Sequence, residues 1–312
     1  MPDINVVKVE GKPLEKLIDV ISKGIGTIYK PRAIRKEAEA KAYEIEIIER
    51  AKANALSEGK LIEADTLDKI QERIIHKEIR RQENIDNVTE IAAQQLSQEE
   101  SVSDEPVDED WTTRFFNIIE DISNEEMQVL WGRILAGEIK QPKSYSLRTL
   151  EVLKNLTFEE ASIFTKFAQL KLISGDTNMI YNHDNGIFLQ SEFGITFMDR
   201  LLLTELGFIA SENNLEFSFF STQEKKINFI EYGKKVIFLN REANTPKQAI
   251  SVLVFTKIGV ELSKLIEQTT NENYIKKVCS GFKHPNVKIT YGDMLNFPDG
   301  TVRLFNPIEY QE

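Results

Sequence analysis

The chain of 312 residues is poor in the residue types that build catalytic and metal centres, with one cysteine and three histidines. The lone thiol, Cys279, excludes an intrachain disulfide and points to a reducing compartment. Beside Lys276 and Lys277 it has no nucleophile context, so a buried structural thiol is expected. His76, His183 and His284 fall far apart with no partner at ligand spacing, too few donors for zinc. Loops of the forms G-x-x-x-x-G-K-S/T and G-x-G-x-x-G are missing as well. No run approaches the ~20 apolar residues that cross a bilayer. The N-terminus lacks the basic start and apolar stretch of a signal peptide. These absences describe a cytoplasmic, non-enzymatic protein without cofactor or metal. Positive charge is also short: 39 Lys and Arg against 50 Asp and Glu give a net charge of −11. That argues against broad nucleic-acid binding, which needs cations to displace counterions, although it allows a local basic patch.

Residues 1–30 read as a lead-in followed by a short amphipathic helix opened by Pro13, with Leu14, Leu17, Ile18, Ile21, Ile25 and Ile28 along one stripe. The stripe can pack on protein, or lie on a membrane surface with Lys16, Lys23 and Lys30 beside it; Glu15 and Asp19 dilute that second reading. Proline and glycine then nearly vanish. Between Ala33 and Leu96 there is no proline and one glycine, Gly59. Residues 31–96 therefore predict a long charged helical arm, with 13 bases and 16 acids between residues 30 and 100. Ile34, Ala38, Ala42, Ile45, Ile48 and Ala51 form one narrow stripe; Leu67, Ile70, Ile74, Ile85, Val88 and Ile91 form another. So charged a helix has to pair along its stripe, either as a hairpin broken near Gly59 or between chains. Lys77, Arg80 and Arg81 form a basic step that can touch phosphate or simply face water. Residues 97–110 hold seven acids, no base and Pro106, the composition of a flexible acidic linker.

Aromatics, only 9% of the chain, concentrate after that linker. Trp111, Phe115, Phe116, Ile118 and Ile119 form a helical apolar cluster. Ser123 and Glu126 fit a capping box for a second helix carrying Met127, Leu130, Trp131, Ile134 and Leu135, and Pro142 ends it. Trp131 and the leucines are expected in a core, although Trp111 and Trp131 also count with the arginines as candidate interaction residues, and Gly132 and Ala136 allow a close helix crossing. Arg114, Arg133 and Arg148 are the residues here with binding chemistry. Each can pair with Glu120, Glu125 or Glu138, or take an external carboxylate or phosphate. Thr157 and Glu160 form another capping box, predicting a helix over Phe158–Leu170. The helical domain is placed at 111–173.

The run Leu130-Trp131-Gly132-Arg133-Ile134-Leu135-Ala136-Gly137-Glu138-Ile139, then Pro142 and Ser146-Leu147-Arg148-Thr149-Leu150, resembles the signature of a bacterial family, domain of unknown function 2806. Tyr29-Lys30-Pro31 and Arg81-Gln82-Glu83-Asn84-Ile85 are similar to it too. The resemblance spans roughly residues 15–170 and implies no activity. Leu130, Trp131, Ile134 and Leu135 alone are also similar to a helix of abortive-infection alpha proteins, which implies a role in phage defence.

Over 174–312 the texture becomes α+β, with more β-branched and aromatic residues between polar turns. A turn is predicted at 182–186, strands at Ile187–Leu189, Leu215–Phe220, Ile227–Glu231, Lys235–Leu239, Ser251–Thr256, Val287–Tyr291 and Val302–Phe305, and helices at Thr196–Leu206 and Lys257–Gln268. Helix, hairpin and second helix together outline a winged-helix-like domain. Its candidate recognition helix carries Arg200 but also Asp199 and Glu205, too few donors for a DNA groove, which favours a protein partner. The sequence thus predicts a mainly helical protein with a C-terminal α+β domain. It is expected to act as a homo-oligomeric interaction protein; a nucleic-acid binder and a membrane effector using residues 13–30 are the alternatives.

Overall fold

The structure is a computed structural model that describes residues 11–25, 45–212, 215–296 and 302–311, without the side chains of Leu61, Glu63 and Asn296. The expected lead-in and the start of the arm lie outside the described residues. The chain forms two compact units, 1–150 and 151–312.

The first unit is helical. α1 (Lys12–Ile25) buries Leu17 and Val20 and sets Gly24 against the Phe116 ring, so part of its apolar stripe is covered by the unit itself while Ile18 stays 48% exposed. α2 (residues 45–57) and α3 (Leu61–Leu96) form the arm as a hairpin. The break sits at Gly59, whose φ of +72° suits glycine, and the Lys60 N–H closes the turn onto the Ala55 carbonyl at 2.8 Å. Ala55 and Ala64 are buried at the seam, and Lys52 pairs with Asp68 across it. α3 is 36 residues, about 54 Å long.

The acidic stretch before α4 (Glu109–Ile119) differs from the expected free linker. Val102 and Val107 are buried, and the bases it lacks come from neighbouring elements. Lys12 pairs with Asp104, Lys143 with Glu105, and Lys140 with Glu99 at 2.7 Å. The Lys16 ammonium donates to the Ser103 and Glu105 carbonyls at 2.9 and 2.6 Å. Composition within a window cannot see cations supplied from outside it.

α5 (Glu125–Lys140) starts one residue later than the expected box, with Asn124 accepting from Met127 N–H. Ser123 instead receives the Asn84 amide at 3.2 Å. α5 crosses α3 at Gly132, where a Cβ would lie 2.5 Å from Ile91 Cγ2. α6 (Leu147–Lys154) spans the boundary between the units.

The second unit carries α7 (Phe158–Ala168), with the expected Thr157–Glu160 capping box complete, and an eight-stranded antiparallel sheet. β1 is Leu172–Ser174, β2 Thr177–Tyr181, β3 Glu216–Phe219, β4 Lys226–Tyr232, β5 Lys235–Arg241, β6 Gln248–Val254, β7 Val287–Asn296 and β8 Val302–Glu309. Their order is β3-β6-β2-β1-β4-β5-β7-β8. The sheet curves strongly: Arg241 at the end of β5 reaches the Phe219 carbonyl of β3, five places away.

Between β2 and β3 lie a 3₁₀ turn (His183–Gly186), α8 (Ile187–Phe193) and α9 (Phe197–Glu205). α10 (Lys257–Ser263) and α11 (Glu272–Gly281) follow β6. α11 puts Tyr274, Ile275, Val278 and Cys279 into the core, with Tyr274 against Tyr232 and Phe193. The winged-helix outline is not what organises this unit. A wing is a hairpin with a free edge, whereas the β4–β5 hairpin is flanked by β1 and β7. Ile187–Leu189, expected as a strand, begins α8, because the left-handed residues Asp184, Asn185 and Gly186 turn the chain directly into it.

Candidate protein-interaction site

The signature block proves to be a framework. Trp131 is fully buried, and Trp111 is buried with its indole N–H donating to the Tyr145 carbonyl at 2.8 Å. Glu138, 1% exposed, accepts from the N–H groups of Lys143 at 2.5 Å and Tyr145 at 2.9 Å. Lys143 takes a left-handed φ of +68° to make this loop, and the Tyr145 ring lies over Gly137, where a Cβ would come within 2.9 Å. Glu138 and Gly137 thus hold the turn after α5, a role the sequence motif does not reveal by residue type.

Upstream, Asn84 and Gln128 are buried and hydrogen bonded to each other at 3.1 Å. Asn84 also donates to the Glu120 carbonyl at 2.8 Å, and Gln128 to that of Ile122 at 2.8 Å. Arg81 faces Glu120 at 3.0 Å and Asp121 at 3.0 Å. Its hydrogen bonds hold the Asp121 carboxyl below the usual carboxylate range. Arg81 and Asn84, with Gln128 of α5, therefore clamp the α4–α5 turn onto α3.

Arg114, Arg133 and Arg148 are exposed, on three different helices, and none pairs with an acid among the described residues. The structure does not gather them into one site. Catalytic candidates fare no better. Among the described residues no group of three His, Cys, Asp or Glu is placed to hold a metal. Cys279 is buried and its thiol is pushed up to about 12 by burial. His183 does have neighbours, Tyr181 OH at 3.1 Å from Nδ1 and Asp184 at 2.8 Å from Nε2, formed by the left-handed turn rather than by any spacing visible in sequence.

Two surfaces remain with binding chemistry. On α3 the predicted basic step divides: Arg81 turns inward, while Lys77 and Arg80 join Lys69, Arg73 and His76 on the solvent face. With Glu72 they line a shallow groove of about 500 Å³. Lys69 is held by Asp65; Arg73, Lys77 and Arg80 have no ion pair among the described residues.

The second surface is on α9. Thr196 and Asp199 form a complete capping box, which fixes where the helix starts, and Leu203 is buried beneath it. The opposite side leaves Phe197, Met198 and Leu201 at 63%, 66% and 49% exposure. Gly186 meets α9 at Arg200, so close that a Cβ there would lie 2.4 Å from the guanidinium carbon. Ile187, next in the chain, is 68% exposed. Arg200 lies over the Phe197 ring at 5.6 Å, and its buried Nε has no hydrogen-bond partner. Burial lowers its pKa and no acid opposes the shift. The charges of α9 argued in sequence for a protein partner over DNA; the apolar signal of Phe197, Met198 and Leu201 at helical spacing lies on the same helix.

No curated protein matches the chain and no solved structure matches it. The profile of a family described as protein of unknown function (DUF2806) matches residues 68–279, from the first quarter of α3 into α11. That stretch is well over half of the chain, and the chain belongs to the DUF2806 family.

Proposed function

We propose that this protein is a non-enzymatic interaction protein that works as a homo-oligomer, docking through the α8–α9 corner of its C-terminal unit. The observation that carries this reading is the exposure of Phe197, Met198 and Leu201 on one side of a helix whose other side is anchored by the buried Leu203. Contiguous apolar side chains rimmed by polar ones mark association surfaces, where aromatic, Met and Arg residues concentrate. The framework role of the signature block agrees with it: those residues build a rigid helical unit and offer no reactive group. The likeness of the Trp131 helix to abortive-infection alpha proteins makes phage defence the setting we favour. The test is the molar mass of the full chain by light scattering over a concentration series. A mass above the 35.8 kDa monomer is expected; a monomer at every concentration up to the solubility limit sinks the reading.

A second reading, nucleic-acid binding, has moved from α9 to α3, and the groove lined by Arg73, Lys77 and Arg80 favours it. Binding of labelled DNA through three or four phosphates would fall with salt at a log–log slope of about −3 to −4. No binding at low salt removes it. The membrane reading of residues 13–30 has less support, since Leu17 and Val20 are covered within the first unit.

A further inference from the structure

The α8–α9 corner carries unmatched charges of both signs, and this says what sits on it. Arg200 is half-buried with no acid opposing its desolvation. Five residues on, Glu205 is exposed in the last turn of α9 and has no ion pair among the described residues. The negative end of a helix disfavours a carboxylate, and the last turn of α9 holds no base. One helix thus presents a cation that lacks an anion, an anion where its own helix repels it, and apolar side chains between them.

We infer that the occupant is a second copy of this chain, packed on a two-fold axis that runs alongside α9 and sets it parallel to its counterpart. The inference rests on the association reading above and names the surface, the symmetry and the contacts. A two-fold contact must be self-complementary, because one patch meets itself. With the axis at Leu201, the two Leu201 side chains meet at the centre. Arg200 and Glu205 of the second copy then flank the same side of the seam and differ in height by five residues, about 7.5 Å along the helix, within reach of the two side chains. The pair occurs twice by symmetry. Phe197 and Met198 lie toward the N-terminal end of the same contact, and Ile187 flanks it. An acidic partner of another kind would use Arg200 but leave Glu205 unmatched, so the presence of both favours the second copy.

The test is light scattering on the full chain and four variants. F197S/L201S should give the monomer mass or raise the dimer dissociation constant about tenfold or more. R200E and E205R should each weaken association, and R200E/E205R should recover it, since the exchanged charges meet again across the axis. A monomeric wild-type chain overturns both this inference and the reading it rests on. An oligomer unchanged in F197S/L201S overturns this inference alone and leaves association to another surface. Weakening by both single reversals without recovery in the double variant overturns the two-fold pairing.

Discussion

In the N-terminal unit the guanidinium of Arg81 meets carboxylates of Glu78, Glu120 and Asp121, whereas in the C-terminal unit Arg241 is 1% exposed and meets only carbonyls and an amide. The difference extends beyond two residues. Helices of the first unit are laced by ion pairs at their rims, among them Lys52–Asp68, Lys12–Asp104 and Lys140–Glu99. The second unit is organised by aromatic contacts around α11, and its buried cations, Arg241 and Lys171, have burial as the main influence on their pKa, with no acid opposing it. A helical unit built from a highly charged sequence can match its charges cheaply at the surface. A curved sheet leaves the last strand residues to close its open ends, and Arg241 does this by donating to the Pro246 carbonyl at 3.1 Å and the Phe219 carbonyl at 3.4 Å.

This contrast can be broken at four points. The largest effect is expected from Trp131→Ala, which empties the centre of the first unit at a cost of about 3–5 kcal/mol in urea unfolding. A loss under 1 kcal/mol would mean that the charged rim, not the apolar centre, holds those helices. Next is Glu138→Ala, which leaves the N–H groups of Lys143 and Tyr145 without their acceptor and should cost about 2–3 kcal/mol. Equal stability would show that the turn after α5 does not depend on the carboxylate. Arg81→Met should cost about 1 kcal/mol, the upper range for pairs with exposed partners. Arg241→Met should change stability by less than about 1 kcal/mol, because an uncompensated buried charge is replaced by apolar volume; a loss above 3 kcal/mol would make that guanidinium an essential clasp.

The smallest effect is the pH profile. Arg81 holds Asp121 and Lys12 holds Asp104 below the usual carboxylate range, so both contribute stability above the unfolded carboxylate pKa and lose it as pH falls through their folded values. In the second unit Asp293, lowered by Lys235, behaves the same way. Glu231 is raised by burial and gains as pH falls, partly offsetting it. Both tryptophans lie in the first unit, so their fluorescence should report an acid transition at higher pH than the loss of sheet signal in circular dichroism. The reverse order would contradict the comparison.

Helices were the legible part of this fold. The Gly59 break, the Thr157–Glu160 box and the apolar stripe of α3 are local signals, and the structure places them as the spacing predicts. The β4–β5 hairpin was legible in its two alternating runs, Ile227–Glu231 and Lys235–Leu239. Its place inside an eight-stranded sheet was not, because β1 and β7 pair with it from distant parts of the chain. α11 had a signal that went unused: Asn271 as N-cap before Tyr274, Ile275, Val278 and Cys279. Among the candidate interaction residues Trp111 and Trp131 are buried in the core and so closed to a partner, while Arg114, Arg133 and Arg148 remain outside it. Glu138 and Arg200 were not singled out for their roles, since a carboxylate folded under a loop and a cation without a partner are facts of three dimensions.

The burial of Cys279 beneath the curved sheet gives the molecule a clock. The chain has one thiol, it is shut away in α11, and burial keeps it protonated. A disulfide reagent at neutral pH can react with it only in the moments when α11 leaves the sheet. With reagent in excess, the slope of reaction rate against reagent concentration counts those openings and converts to an opening free energy for the C-terminal unit. The tryptophans are silent on that event, so a change at the α8–α9 corner that loosens α11 would be timed by the thiol before any global transition moved.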